Sequence, residues 1–470
     1  MLRGATIGAQ SFWDDERYTV WLVRMDFGDM LRSGLETEVT PPLYYVVAWL
    51  WSSIFGSDEV GLRALSVLAG AATVPILYVL GARHASRRAG LAVAALAAVN
   101  PFLVWYGEEA RSYALLVPET ALGLLFFLDA LRAPTARRLG AWAVVSCLAL
   151  STHYFSVFIV GPEAAWLLLA VPHERRRAVL AAVAAPVLAG IALLPILLHQ
   201  RAASSDPGGL SGTPLTTRTA AVPKNFLVGY QLPVELLASV VTGLLALVLA
   251  VVAVRSARGA ERRMALIAAA LAAIAVGVPI VLAGLGQDYV SSRNVIVALV
   301  PAVLVAGVGL VAGRAGLVAG LALCSVWLAI LGAVSTQPRY QRKDHRGAAR
   351  ALGPVRENRL LAFSPGFVIP GPFLVYFPGS ELMTREPVAT REIDVVALAS
   401  VGRFGVGTPA PPRSESPRAP AGFRLVQRRD AETFTLLRYR ARRPIPVTRG
   451  TVERLAFKTE AYAAVIQRPD

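Results

Sequence analysis

The chain has 470 residues, of which 55% are hydrophobic and 17% are charged, and its mean hydropathy is +0.53. A soluble domain of this length needs far fewer apolar residues, so the composition excludes an ordinary soluble enzyme and predicts a bilayer as the solvent. Both cysteines lie in apolar stretches, which excludes a disulfide framework or a cysteine-based zinc cluster. The distribution of the net charge of +16 along the chain favours membrane lipid over nucleic acid as a partner.

Apolar blocks with almost no internal charge recur along the chain, each about 18 to 22 residues long, as a helix needs to cross roughly 30 Å of hydrocarbon. They predict a polytopic α-helical membrane protein of about ten spanning helices. Residues 42–55 form a shorter apolar and aromatic block, which predicts a helix at the membrane interface. The predicted spans are 62–82, 89–106, 113–131, 140–151, 153–171, 178–198, 233–254, 264–284, 293–312 and 314–334.

The loops between these spans differ in basic charge. Alternate loops hold 14 arginines in one set and 5 Lys or Arg residues in the other, and the positive-inside rule assigns the richer set to the cytoplasm. The chain then begins outside without a signal peptide, so we expect a further spanning helix before Met1. The segments predicted to be extracytoplasmic are 1–61, 107–112, 199–232, 285–292 and the tail after 334.

Three regions follow from this pattern: 1–61 as a first extracytoplasmic loop with interfacial helices, 62–334 as the transmembrane domain, and 335–470 as a small extracytoplasmic α/β domain. The last region carries 23 Lys and Arg against 12 Asp and Glu, which accounts for +11 of the net charge. A basic domain outside the cell suits anionic headgroups or surface glycan. A solvated arginine-rich surface explains the same composition.

The first candidate site is an acidic run, Asp14, Asp15 and Glu16, which follows Trp13. Adjacent carboxylates repel one another and are expected to have raised pKa values, as suits a general base. An aromatic ring beside them suits a sugar, which stacks on such rings. Acidic residues also favour the N-terminus of any helix, which is the structural alternative.

A second group lies in a predicted outer loop, where Glu109 and Arg111 precede Tyr113. An acidic and a basic residue, Glu109 and Arg111, on the same predicted membrane face as Asp15 suit group-transfer chemistry. The alternative is that they form a structural ion pair. His153 lies at the break between two short spans; an ionisable residue at that depth is a functional candidate, or a hydrogen-bonded structural histidine.

Asp288 and Tyr289 lie in the last predicted outer loop, and Arg293 is the first residue of the span that follows it. The planar fork of an arginine there would bind a phosphate. The alternative is an interfacial arginine that extends to the headgroups.

Several short motifs, in order and spacing, resemble the GT-C type glycosyltransferases of the protein O-mannosyltransferase and aminoarabinose-transferase group, especially the bacterial dolichyl-phosphate-mannose mannosyltransferase-like members. The resemblance covers roughly residues 8–335. The motifs are Phe12-Trp13-x-Asp15-Glu16, Pro41-Pro42-Leu43-Tyr44-Tyr45, Phe55-Gly56-x-x-Glu59-x-x-x-Arg63, Asn100-Pro101, Glu109-Ala110-Arg111-x-Tyr113 and Thr152-His153-Tyr154.

This resemblance implies an inverting transfer of a hexose or pentose, with a mannose-like sugar as the first choice, from a polyprenyl-phosphate carrier to a protein, lipid or polysaccharide acceptor outside the cytoplasmic membrane of a bacterium. It implies Asp15 as the general base, with Glu16 orienting it or contacting the acceptor, and Glu109 in the second outer-loop motif, which faces the donor. Arg111, with Arg293 as second choice, would bind the leaving phosphate. The predicted substrate-binding residues are Trp13, Tyr44, Tyr113 and His153.

Two matters stay open at this point. A lipid-carrier flippase or transporter is the alternative function; it predicts ionisable residues near the bilayer midplane and internal repeats, whereas the ionisable residues here cluster at outer loops. No metal ligands are predicted, although carboxylates near a phosphate are able to hold a divalent cation.

Overall fold

The computed structural model describes residues 4, 6–203, 210, 212–230, 232, 234–364, 374–383, 387–398, 417–455 and 463–469. They form two compact units. The first consists of Met1–Ile7 and Leu22–Ala333, and the second of Gly8–Trp21 and Val334–Asp470. The acidic run at 14–16 therefore folds with the C-terminal residues and not with the predicted spans.

Helices account for nearly all of the first unit. Helix α1, Asp14–Val23, begins in the second unit, and the remaining long helices follow in chain order. They are α2 Phe27–Thr37, α3 Leu43–Phe55, α4 Glu59–His84, α5 Arg87–Val99, α6 Pro101–Gly107, α7 Tyr113–Arg132, α8 Ala136–Thr152, α9 Val157–Ala170, α10 Arg176–Ala203, α11 Leu215–Val228, α12 Glu235–Arg255, α13 Gly259–Gly284, α14 Leu299–Val311 and α15 Arg314–Thr336.

Every predicted span corresponds to helix in the structure. Among the described residues, six helices are long and apolar enough to cross a membrane by themselves: α4, α7, α10 with the turn before it, α12, α13 and α15. The chain is therefore a polytopic helical membrane protein, as the composition predicts. The number ten stays a prediction, because α8, α9 and α14 are shorter than a full crossing.

Two predicted segments differ in detail. The span at 89–106 is a pair, α5 and α6, bent by 64° at Asn100. Asn100 has extended backbone because Pro101 follows it, and its side chain caps α6 by accepting a hydrogen bond from the Leu103 amide at 2.9 Å. The predicted outer loop at 199–232 contains a further helix, α11. The predicted break at 151–153 is confirmed, since α8 ends at Thr152.

Close helix packing depends on glycine at α14. A Cβ on Gly309 would lie 2.0 Å from the Leu249 carbonyl oxygen of α12, so only glycine fits there. In a membrane such small residues let helices approach and gain van der Waals contact, which drives helix association.

The second unit contains a six-stranded sheet in the described residues, with strand order β2-β6-β1-β3-β5-β4. Strands β1 and β3 are parallel and the other pairs are antiparallel. The sequence predicts strands in the β-rich runs at 360–363, 394–398, 423–427 and 434–439 and a helix at 345–352, and the structure confirms these; it adds the strands at 380–382 and 463–467, which were not predicted. The elements are α16 His345–Leu352, β1 Arg359–Ser364, β2 Ser380–Leu382, β3 Val388–Leu398, β4 Arg424–Asp430, β5 Phe434–Val447, α17 Arg449–Glu453 and β6 Ala463–Gln467.

Both faces of this sheet are buried at its central strand β1. On strand β1, Leu360 and Ala362 belong to one apolar cluster, whereas Leu361 and Phe363 belong to another on the opposite face. The second cluster includes Leu352 of α16, so that helix covers this face of the sheet. This packing fixes the start of α16, where the segment 342–345 contacts the acidic run.

Candidate functional site

A cavity of about 400 Å³ lies within the first unit. Its polar lining comes from the start of α7, the break before α9, the end of α10 and the segment after α13. Three arginines face it, and no Asp or Glu is found among its described lining residues. The polar lining residues are Thr40, Arg111, Tyr113, His153, Tyr154, Gln200, Arg201, Gln287, Tyr289, Arg293 and Asn294.

The other walls of the cavity are apolar. They come from α9, α10 and α13, and the leucines of α10 recur at helical spacing: Leu193, Leu194, Leu197 and Leu198. Leu194 and Leu198 are 47% and 56% exposed on a helix that mostly faces lipid. The cavity therefore joins a cationic end to a surface suited to an alkyl chain.

Arg111 lies in a tight turn between α6 and α7 and is held by a carboxylate that the sequence analysis did not identify. Its Nη1 and Nη2 each donate a hydrogen bond of 2.8 Å to Glu38, and both residues are buried. Tyr45 donates to the same carboxylate at 2.6 Å, and the guanidinium lies 5.7 Å from the centre of the Tyr45 ring. Burial raises the pKa of Tyr45 well above its ordinary value, so the phenol stays protonated as a donor.

Arg293 is half-buried in the segment between α13 and α14. This segment is fastened to α11, where buried Arg218 forms a bidentate ion pair with Asp288 and donates to the Val290 carbonyl at 2.8 Å. Seven residues later on α11, Asn225 donates to Ser292 at 2.9 Å. Hydrogen bonds from Arg218 and the Val290 amide lower the pKa of Asp288, which stabilises the ion pair.

His153 occupies the break between α8 and α9. Its Nδ1 accepts a hydrogen bond from the Phe155 amide at 3.2 Å, and its ring centre lies 5.5 Å from that of Tyr113. Next to it, Tyr154 donates to Gln200, whose amide in turn donates to the Thr40 carbonyl. The histidine therefore caps the short turn before α9 and also faces the cavity.

The first unit thus brings together four of the residues predicted from sequence: Arg111, Tyr113, His153 and Arg293 line one cavity. Tyr44 and Glu109 are fully buried in the same unit and are not among the lining residues. Glu38 and Gln200 were missed by the sequence analysis. Neither lies in a distinctive local motif, because their roles come from partners 73 and 160 residues away.

The acidic run lies in the second unit, on the first turn of α1. Asp14 forms ion pairs with two cations: its oxygens lie 2.7 Å from Lys343 Nζ and 2.5 Å from Arg17 Nη2. His345 Nε2 lies 3.3 Å from the same carboxylate. Burial raises the pKa of Asp14, but the charges of Lys343 and Arg17 and a hydrogen bond from His345 outweigh it and hold the pKa well below its usual value. The expectation of raised pKa values is therefore wrong for Asp14, because Lys343 and His345, which are distant in sequence, and Arg17 on the same helix together outweigh the effect of burial.

Glu16 is fully buried and stabilises the start of α1. Its Oε2 accepts a hydrogen bond from the Trp13 amide at 3.2 Å, the reciprocal half of a capping box, and lies 3.8 Å from Arg342 Nε. Asp15, between these two anchored carboxylates, is 9% exposed. Trp13, Asp15 and Glu16 therefore lie in the second unit, and the other predicted site residues lie in the first.

A metal site is not evident in the part of the chain that the structure describes. Among those residues no group of three or more His, Cys, Asp or Glu side chains is arranged to hold a metal ion.

Comparison with known proteins gives a family match and a shared fold. Residues 39–199, about a third of the chain, match the family described as dolichyl-phosphate-mannose-protein mannosyltransferase. No curated protein has significant sequence similarity to the chain. The fold is similar to that of ArnT from Cupriavidus metallidurans bound to undecaprenyl phosphate, with a TM-score of 0.51 and 11% identity, over 93% of this chain and 96% of that one.

Two further solved structures have lower TM-scores. The apo state of the same ArnT has a TM-score of 0.39 and 14% identity, over 80% of this chain and 82% of that one. The archaeal oligosaccharyltransferase AglB from Archaeoglobus fulgidus, in complex with an inhibitory peptide and a dolichol-phosphate, has a TM-score of 0.39 and 14% identity, over 74% of this chain and 54% of that one.

Proposed function

We propose that this chain, whose predicted resemblance to the GT-C type glycosyltransferases is confirmed by its family match and its fold, transfers a sugar from a polyprenyl-phosphate carrier to an acceptor hydroxyl. The sugar is mannose-like, as the matched family's description suggests, and the acceptor is a protein, lipid or polysaccharide. The reaction takes place at the extracytoplasmic face of a bacterial cytoplasmic membrane, the side to which the distribution of loop arginines assigns these segments.

The observation that carries this proposal is the cavity of the first unit. Its lining includes Arg111, Arg201 and Arg293 and no described carboxylate, so it favours an anion. Its leucine wall on α10 suits the isoprenoid chain of the same molecule. A lipid phosphate has both an anionic group and an apolar chain, so it matches both parts of the cavity. A soluble nucleotide sugar has no apolar chain to contact the leucine wall.

Within the cavity, Arg293 is the stronger candidate for the phosphate. Arg111 already makes two charge-assisted hydrogen bonds to Glu38, and a phosphate would have to compete with that carboxylate. Arg293 is held in place through its backbone segment, which Arg218 and Asn225 fasten to α11. This reverses the order of preference that the family resemblance gave.

The proposed chemistry is a single displacement. Asp15 accepts the proton of the acceptor hydroxyl, whose oxygen attacks the anomeric carbon on the face opposite the phosphate. The bond from the anomeric carbon to the phosphate oxygen breaks, and polyprenyl phosphate leaves with the bonding electron pair, so the configuration inverts. Arg293 stabilises the charge that develops on the phosphate.

The test uses the full chain in membranes or nanodiscs with a panel of radiolabelled polyprenyl-phosphate sugars, and it follows loss of donor and the anomeric configuration of the product. We expect one donor to be consumed with inversion by the wild type and not by Asp15→Asn. Asp26→Asn, at an exposed position before α2, is the matched control.

Two results would contradict the proposal. Consumption of a donor with retention would exclude the single displacement. Tight binding of a polyprenyl phosphate without consumption of any donor, together with movement of the lipid between leaflets, would favour the flippase alternative.

A further inference from the structure

We infer that the segment Arg342–His345, just before α16, positions the acidic run and makes the C-terminal unit a required part of the transferase. The inference rests on the proposed function, since it concerns the base assigned there. It gives a role to the C-terminal unit, for which the sequence contains no recognisable motif.

The first observation is that the two sequence neighbours of Asp15 are both held by this segment. Lys343 lies 2.7 Å from one Asp14 oxygen, and Arg342 lies 3.8 Å from Glu16. The side chains of Arg342 and Glu16 are 1% and 0% exposed, so their attraction is little screened by water. Consecutive residues of a helix are separated by about 100° and 1.5 Å, so fixing Asp14 and Glu16 also fixes the direction of Asp15.

The second observation is that the chain before the acidic run is fastened to the same segment and to the residue after it, Arg346. Gln10 accepts a hydrogen bond from the Arg342 amide at 3.0 Å, and Ser11 accepts one from the Arg346 amide at 3.0 Å. The Arg346 guanidinium donates to the carbonyls of Gly8 and Ala9 at 3.0 and 2.8 Å. The chain that leads into α1 is therefore anchored by several hydrogen bonds.

The third observation concerns how the segment itself is fixed. The ring of His345 is 1% exposed and lies nearly parallel to the rings of Phe363 and Tyr376, each with its centre 6.1 Å away. Tyr376 also accepts a hydrogen bond at its hydroxyl oxygen from the Phe12 amide at 2.6 Å. The buried face of the sheet therefore determines where Lys343 and Arg342 lie, and these determine where α1 begins.

The physical consequence is a positioning role. Without a cation at 343, Asp14 keeps Arg17 but loses its link to the segment before α16, so repulsion from its carboxylate neighbours is less compensated and the first turn of α1 loses an anchor. A displacement of a general base by about 1 Å lowers the rate by roughly 10- to 100-fold while leaving binding of a donor elsewhere unchanged.

The experiment compares Lys343→Met, Lys343→Arg and the control Arg449→Met in the full-length protein. Arg449 forms an exposed ion pair with Glu453 on α17, so its replacement removes the same charge from the same unit. We expect Lys343→Met to lower kcat per folded molecule about 10- to 100-fold with the donor KM within about twofold of wild type. Lys343→Arg should recover most of kcat, and Arg449→Met should not change it.

The outcomes separate this inference from the proposed function. If Asp15→Asn abolishes transfer and folded Lys343→Met retains full kcat, the positioning inference is wrong and the function stands. If Asp15→Asn retains transfer, the base assignment is wrong. Should Lys343→Met prove unfolded by melting temperature or proteolysis, Lys343→Gln is measured with the same expectation, and a wild-type kcat in that variant would overturn the inference.

Discussion

The cavity of the first unit and the acidic run of the second unit differ in the sign of their charged side chains and in how those charges are compensated. In the cavity, Arg111 is paired with Glu38, and the described lining residues themselves include three arginines and no Asp or Glu. In the acidic run, Asp14 and Glu16 are matched by Lys343, Arg17 and Arg342. The first arrangement suits binding of an anion, and the second suits a carboxylate held in one orientation. Four predictions test this contrast.

The largest effect is expected at the acidic run. Asp15→Asn removes the proposed base and should lower donor turnover by about 10²- to 10⁴-fold. Asp14→Asn, which removes only an anchor, should lower it by about 10-fold. Turnover of the same donor by both purified variants checks the order, and an Asp14→Asn loss as large as that of Asp15→Asn would contradict the assignment of the base.

The next effect concerns stability at Glu38. Glu38→Gln leaves the buried guanidinium of Arg111 without its carboxylate, which costs about 3–5 kcal/mol. Thermal unfolding of the variant in nanodiscs should show a lower Tm, and added polyprenyl phosphate should raise the Tm more in the variant than in the wild type, because Arg111 then has an anion to bind.

The control for Glu38 is Glu381→Gln, which breaks an exposed ion pair with Arg468 on the second unit. Such pairs contribute about 0–1 kcal/mol, so the Tm should barely move. Equal Tm values for Glu38→Gln and wild type would mean that the ion pair with Arg111 is not formed in the membrane.

A smaller effect separates the two cavity arginines. Arg293→Gln should raise the donor KM by about 10- to 100-fold, the value of one or two hydrogen bonds to a charged group. Arg111→Gln should raise KM by less and lower the Tm instead, because buried Glu38 then loses its cation and keeps only the hydrogen bond from Tyr45. Steady-state kinetics and thermal unfolding of both variants measure these changes. A larger rise in KM for Arg111→Gln than for Arg293→Gln would assign the phosphate to Arg111.

The smallest effect is a pH dependence in the second unit. Burial, followed by the charge of Arg17, lowers the pKa of His345 to about 4 from 6.5. The folded unit therefore binds fewer protons than the unfolded chain at pH 5.5, and stability falls as the pH falls from about 6.5 toward 4. Between pH 7 and 5.5 the loss is about 1 kcal/mol.

Hydrogen exchange of the α16 amides at the two pH values, corrected for intrinsic rates, measures this loss. His345→Gln should reduce it, because glutamine does not titrate. The pair of Asp14 with Lys343 acts in the same direction at lower pH, since a lowered carboxyl pKa gives stability that is lost only as the pH falls below about 4. Unchanged protection in the wild type at pH 5.5 would contradict the buried, neutral state of His345.

The sequence by itself determined that the chain spans a membrane, where its long apolar helices lie, and where four of the six described strands of the C-terminal sheet lie. These features depend on local properties: the length of an apolar block, the proline after Asn100, and short continuous apolar runs such as Leu360–Phe363. It also selected Arg111, Tyr113, His153 and Arg293, which the structure places around one cavity.

Only the tertiary structure decided which charges neutralise one another. Glu38 pairs with Arg111 across 73 residues and Asp14 with Lys343 across 329, and no local pattern encodes a partner at such a distance. The same reason explains why Glu38, Gln200 and the segment 342–345 were missed, and why the pKa of Asp14 was expected to be raised when it is lowered. Hydropathy and capping act over one or two helical turns, whereas an ion pair forms wherever folding brings two side chains within a few ångströms.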